Sequence, residues 1–192
     1  WRRQFYGDIA HGMKIVDLFE FHPVWMAYTE NHVSLPEMFG TVLKSFREMG
    51  LFEDIMQAGQ RRPAQVGLWF SETGDIWGSS GGAGKRALYI AILGTQHPLD
   101  FVIEQDALAG TLAVFKALYL TEGHVSHASA KKIAAGVKEG GKLFATAGAG
   151  MFDEYNQPNK DLRELMGVEQ LALEAPADSQ VGFIKQALPF AK

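Results

Sequence analysis

Apolar positions change period about a third of the way along the chain. Met38, Phe39, Val42, Leu43 and Phe46 recur at helical spacing, and Leu51, Phe52, Ile55 and Met56 extend the same face past Gly50, where the helix is expected to break. Ser34 to Glu37 has the form of a capping box in front of this run. Upstream, Arg2 to His11 reads as a helix closed by Gly12, and Lys14 to Phe21 as a buried strand. From Val66 the pattern alternates between short apolar runs and amphipathic stretches. Strands are expected at 66–70, 99–103, 114–120, 143–146 and 168–173, with a long polar loop from Ser71 to Ala83. Helices are expected over 84–95, from a Ser126 cap to the Gly140-Gly141 stop, and from an Asn159 cap to Gly167. Strand, helix, strand at this spacing predicts an α/β domain with a parallel sheet covered on both faces.

Composition divides the chain at the same place. Residues 1–62 hold 10 of the 22 aromatic residues and only 3 alanines, whereas 63–192 hold 16 of the 21 glycines. The polar stretch Gly59 to Pro63 suits a linker. The reading is a first region 1–62, a complete α/β domain 63–175, and a tail or start of a further domain at 176–192. A net charge of −4 argues against a nucleic-acid partner, which needs clustered Lys and Arg. No run of 18 apolar residues exists to span a membrane as a helix, and with no cysteine a thiol nucleophile and thiolate metal sites are excluded. The compartment is not legible. The chain opens at Trp1 inside a predicted helix, and is expected to be an excised piece of a longer protein.

Candidate chemistry in the second region is thin. Ser79 to Arg86 approaches a phosphate-cradling loop, yet Ser79 stands where the first glycine belongs and Arg86 where a Mg²⁺-binding hydroxyl belongs. Ala147-Gly148-Ala149-Gly150 follows the fourth strand at its carboxyl end, where glutaminase-type relatives of this architecture carry a Cys nucleophile; Ala and Gly cannot attack. His124 and His127 flank Ser126 near Glu122 with metal-like spacing but no evident third ligand. A Ser-based amidase would need a Ser–His pair at a strand end, whereas Ser126 with either histidine is expected at a helix start. Asp153-Glu154 and Asp100, Glu104 and Asp106 read as solvated acids. No catalytic residue, cofactor or metal is therefore expected here. The first region is richer. Glu20 and His22 end the predicted strand, Glu30 and His32 lie in the aromatic loop beyond, and Trp25 or Tyr28 offers a face for a sugar ring.

The runs YIAILGTQHPLDFVIEQD, ALYLTEGHVSHASAKKIAAGVKEGGKLFATAGAGMFDE and LRELMGV together resemble the trimerisation domain of β-galactosidases of glycoside hydrolase family 42. The resemblance covers about residues 66–173. It implies a flavodoxin-like, class I glutamine-amidotransferase-like three-layer sandwich that serves assembly, as a homo-oligomer and in that family a trimer. The preceding WRRQFYGDIAHGMKIVDLFEF looks like the last helix and strand of that family's (β/α)₈ barrel, with Ala10-His11-Gly12 matching the turn before its eighth strand. The family has a Glu and a His after that strand that contact the sugar, for which Glu30 and His32 are the nearest candidates. Its acid and nucleophile glutamates would lie upstream of Trp1. The reading from another class is a flavin- or nucleotide-binding domain using the loops 71–85 and 148–153.

Overall fold

A computed structural model describes residues 2–17, 36–60, 62–79 and 82–173. The chain divides into two compact units, Trp1–Pro63 and Ala64–Lys192.

In the first unit, α1 (Arg2–Ala10) packs on α2 (Pro36–Ala58). Phe5 is the buried centre, edge-on to Phe46 at 5.6 Å, and Val42 is buried on the same helix as Phe46. Arg2 and the Tyr6 hydroxyl both donate to Glu48 at 2.6 Å, which holds that carboxyl below the ordinary range, the Tyr6 bond contributing most. Gly12 takes the left-handed φ of +93° expected of a helix-closing glycine. Two expectations fail. Helix α2 runs unbroken through Gly50, because a single glycine costs only about 1 kcal/mol in a helix interior while the apolar face continues on both sides. Residues 13–17 are not a strand, and Ile15 is 84% exposed. Among the described residues of this unit no strand lies beside them to receive a ladder of hydrogen bonds. The remainder of that predicted strand, and Ser34 of the capping box, lie outside the described residues.

The second unit is a three-layer α/β sandwich. Strands β1 (Val66–Trp69), β2 (Leu99–Val102), β3 (Ala117–Leu120) and β4 (Lys142–Ala145) form an all-parallel sheet in the order β2-β1-β3-β4. Alternate residues of β1 serve opposite faces. Leu68 faces α4 (Gly82–Gly94), where Leu88, Tyr89 and Ile92 close over Leu99. Trp69 faces the larger core, filled by Ala107 of α5 (Glu104–Leu108), Ala130 and Ile133 of α6 (His127–Lys138), and Leu162 of α7 (Lys160–Met166). Each fully buried aliphatic side chain contributes roughly 1.5–3 kcal/mol. Gly67 lets this centre close: a β-carbon there would stand 2.7 Å from Val102 Cγ2.

The Asn159 cap is observed, its side chain accepting from Leu162 N at 3.2 Å, and Gly167 ends α7 at φ +66°. Three details differ from expectation. The long loop after β1 contains a helix, α3 (Glu72–Ile76), capped by Ser71. Ser126 occupies the N-cap position of α6 but donates to Ser129 Oγ at 2.9 Å instead of capping backbone. Residues 168–173 form no fifth strand. Their attachment is by a side chain: Gln170 accepts from Gly148 N at 2.7 Å and donates to Ala149 O at 2.9 Å.

Candidate functional site at the carboxyl ends of β1, β3 and β4

The chain leaves β1 through α4 to reach β2 on one side, then crosses back through α5 to reach β3 on the other. The topological switch point therefore lies between β1 and β3, where open α/β sheets leave a crevice at the strand carboxyl ends. Backbone pairing continues past the strands there. Gly123 N donates to Ser79 O, Val125 N to Phe152 O, and Phe152 N to Gly123 O, so segments following β1, β3 and β4 are stitched together. Two side-chain clusters stand on this extension.

The first is buried and charged. Glu122, just past β3, is fully buried and accepts from Ser71 N at 3.0 Å and Ser71 Oγ at 2.7 Å; the Lys85 ammonium completes the set from the first turn of α4. Lys85 also lies over the Phe70 ring, 4.6 Å from its centre. Burial raises the Glu122 carboxyl above its ordinary range, and the hydrogen bonds from Lys85 and Ser71 offset only part of that. Gly74 fits here because a β-carbon would overlap Glu122 Oε2. The lysine of the loop that resembled a phosphate cradle is thus turned inward to a carboxylate.

The second cluster is half-open and centres on an imidazole. His124 Nδ1 stands 2.8 Å from Ser79 Oγ, and Nε2 stands 2.9 Å from Asn156 Oδ1. The backbone N–H of His124 also donates to Ser79 Oγ at 3.1 Å. Trp77 and Phe152 both stack on the imidazole, each with ring centres 5.2 Å away. This pairing escaped sequence reasoning, which tested Ser126 against the histidines. The partner is Ser79, 45 residues away, and no local period announces it.

The other predicted positions fall apart from one another. His127 is exposed and pairs with Asp161 at 3.0 Å, while its N–H donates to Glu154. Asp153 organises a turn by accepting from Tyr155 N and Gln157 N, Asp106 accepts from Ile103 N, and Asp100 from Phe101 N. Among the described residues no group of three or more His, Asp or Glu could hold a metal ion. No described helix is long and apolar enough to cross a membrane. The Ala147–Gly150 turn is used for close packing: Gly150 sits at φ +64° with its N–H on Glu122 O, against Leu162. Glu20, His22, Glu30 and His32, with Trp25 and Tyr28, lie outside the described residues.

No protein-family model matches the chain. No curated protein matches it either. Solved structures do. A catalytic mutant of Gan42B, a GH42 β-galactosidase from G. stearothermophilus, is similar over 85% of this chain and 27% of its own, with 19% identity and a TM-score of 0.58. A second Gan42B structure matches over 62% of this chain and 20% of its own, at 19% identity and a TM-score of 0.50. A β-galactosidase from Bifidobacterium adolescentis matches over 56% of this chain and 54% of its own, at 20% identity and a TM-score of 0.47. The chain thus spans about a quarter of the length of Gan42B, and at these identities the likeness is one of fold.

Proposed function

We propose that this chain is the C-terminal assembly region of a glycoside hydrolase resembling β-galactosidases, and that its α/β domain buries a face against further copies of itself. The observation that carries the reading is the fold likeness to Gan42B, which extends over 85% of the chain and so takes in more than the α/β domain. The Ala147–Gly150 turn, without a side chain able to attack, supports a contact role for the corner that glutaminase-type domains use for chemistry. So does an aromatic row across the sheet: Phe101, Leu68, Tyr119 and Phe144 are in register on one face, and Phe144 at the β4 end is 49% exposed. Solvent-facing apolar surface of this kind marks contact sites. A trimer is the expected form. Carbohydrate would be bound by the barrel of the parent enzyme, with Glu20, His22, Glu30 and His32 as its sugar contacts from this chain.

Light scattering on the full-length parent tests the assembly role. A stable oligomer at micromolar concentration is expected, and a clean monomer overturns the proposal.

One observation favours the second reading, a flavin- or nucleotide-binding domain. Phe70, Gly82, Lys85, Arg86, Tyr89 and Phe101 line an open groove of about 630 Å³, within the size range of small-molecule sites. Thermal-shift measurements with FMN and nucleotides decide it, and no stabilisation by either ends it.

A further inference from the structure

The Ser79, His124 and Asn156 side chains form a hydrogen-bonded line at the strand carboxyl ends, and its proton positions follow from the acceptors. Asn156 Oδ1 faces Nε2, an acceptor that selects the neutral tautomer with the hydrogen on Nε2 and a lone pair on Nδ1. The Ser79 hydroxyl, already accepting from the His124 backbone N–H, then donates to Nδ1 at 2.8 Å rather than to the more distant Gly74 O at 3.4 Å. A serine hydroxyl donating to an imidazole whose other nitrogen is held by a third group is the arrangement that activates an oxygen nucleophile.

The surroundings hold that line in place. Asn156 adopts a left-handed φ of +57° in a turn fixed by three hydrogen bonds from the 155–157 backbone to Asp153 and one from Asp153 N to Gln157 O. Such a conformation is uncommon for a residue with a side chain, and here it brings the amide to the imidazole. Trp77 lies 8° from parallel with the His124 ring, and Phe152 27°. The two aromatic faces fix the ring plane and stabilise the cation that forms when Nδ1 takes a proton. Gly123 keeps space beside the nucleophile: a β-carbon there would stand 3.3 Å from Ser79 Cβ. His124 is buried, while Ser79 is half-buried and Asn156 exposed, so solvent reaches the line from both of its ends.

We propose that Ser79, His124 and Asn156 form an acyl-transfer centre acting on esters, separate from any glycosidase chemistry of a parent enzyme. Ser79 Oγ bonds to the ester carbonyl carbon as its proton passes to His124 Nδ1. The carbon–oxygen bond to the alcohol breaks, and the departing oxygen takes that proton. Water then adds to the acyl-serine, giving a proton to Nδ1, and the acid leaves as the proton returns to Oγ. The sum is ester plus water to acid plus alcohol. The assignment does not depend on the assembly reading, and either can fail alone.

The test uses the whole chain and two probes, a fluorophosphonate and p-nitrophenyl acetate. Peptide mapping is expected to find a single phosphonyl adduct on Ser79, with ester hydrolysis above the buffer rate. Ser79→Ala is expected to abolish both. Asn156→Ala is expected to slow labelling about 100-fold, the low end of the usual span of a general-base contribution, and Asn156→Asp to restore it; a purely structural Asn156 would move the melting temperature without moving the labelling rate of folded protein. Ser79→Cys, labelled with iodoacetamide, should react faster with His124 intact than after His124→Gln. A folded chain that gives no adduct at Ser79, or one whose labelling survives Ser79→Ala, overturns the proposal. The wild-type adduct map decides even where a variant fails to fold.

Discussion

Lys85 on the first turn of α4 and Glu122 just past β3 form an ion pair with side chains only 7% and 0% exposed. Removing the cation leaves a fully buried carboxylate without its main partner. Lys85→Met is therefore expected to cost about 3–5 kcal/mol at neutral pH, read from urea unfolding. The pH dependence has a fixed sign. Burial already raises the Glu122 carboxyl above its unfolded value, and loss of Lys85 raises it further. A raised carboxyl contributes stability below its unfolded pKa and loses it as pH rises through the folded one. The variant should accordingly be least impaired in mild acid and most impaired at neutral pH. Adding Glu122→Gln should recover most of the loss, since neither charge is then buried. A penalty that stays constant with pH would rule out the carboxylate as its source.

Two glycines should respond oppositely to alanine. Gly150 sits at φ +64°, and a β-carbon there would stand 2.5 Å from Leu162 Cδ1. Left-handed strain of about 1–2 kcal/mol adds to overpacking of about 1–3 kcal/mol, so Gly150→Ala should destabilise clearly. Gly84 lies in α4 with nothing near its missing side chain. Gly84→Ala should raise stability by about 0.5–1 kcal/mol, because alanine has less freedom to lose on folding. Thermal melts of the pair check both signs, and equal shifts would mean that the space around these positions is misread.

Local chemistry explains which parts of the fold could be read in advance. The Asn159 cap, the Gly140 stop and the Gly12 turn are one-residue signals whose partners lie within a few positions, and each appears as expected. Apolar runs located the four strands, of which β1, β2 and β3 pack side chains into the cores on both faces of the sheet. Helix α3 was invisible: it is five residues long and mostly polar, and its cap, Ser71, is anchored by Glu122 from 51 positions away. The run 168–173 looks like a strand by composition, but Gln170 bonds to the Gly148–Ala149 turn and takes the place of a ladder. The Ser79–His124–Asn156 line spans 45 and 32 positions. Such a convergence follows from strand order and cannot be seen along the chain.

Asn159 serves two elements at once. Its side-chain oxygen accepts from Leu162 N, and its amide nitrogen donates to the buried Val125 O at 2.9 Å. Asn159→Asp keeps the acceptor and places negative charge at the start of α7, but removes the donor and sets a carboxylate against a buried carbonyl. Asn159→Ala loses both bonds and should cost about 1–3 kcal/mol, combining a lost cap with an unpaired carbonyl. Asp at this position should recover little of that. Denaturant midpoints of the two variants make the comparison, and a near-complete rescue by Asp would show that the bond to Val125 O contributes nothing.

Phe144 separates the demands of the monomer from those of assembly. It stacks on Tyr119 with ring centres 4.9 Å apart, yet it is half-exposed on β4, an edge strand of the described sheet. A lysine there keeps an aliphatic stem over Tyr119 and can lift its charge into water, so the isolated fold should lose no more than about 1 kcal/mol. In an interface the same lysine would be an unpaired charge in a desolvated contact. If self-association uses this aromatic row, Phe144→Lys should weaken it by at least about 2 kcal/mol, the threshold for a dominant interface residue, or roughly 30-fold in the dissociation constant. Sedimentation velocity across a concentration series, paired with a melt of the same sample, separates the two effects. A dissociation constant unchanged by Phe144→Lys would place the contact on another face of the domain.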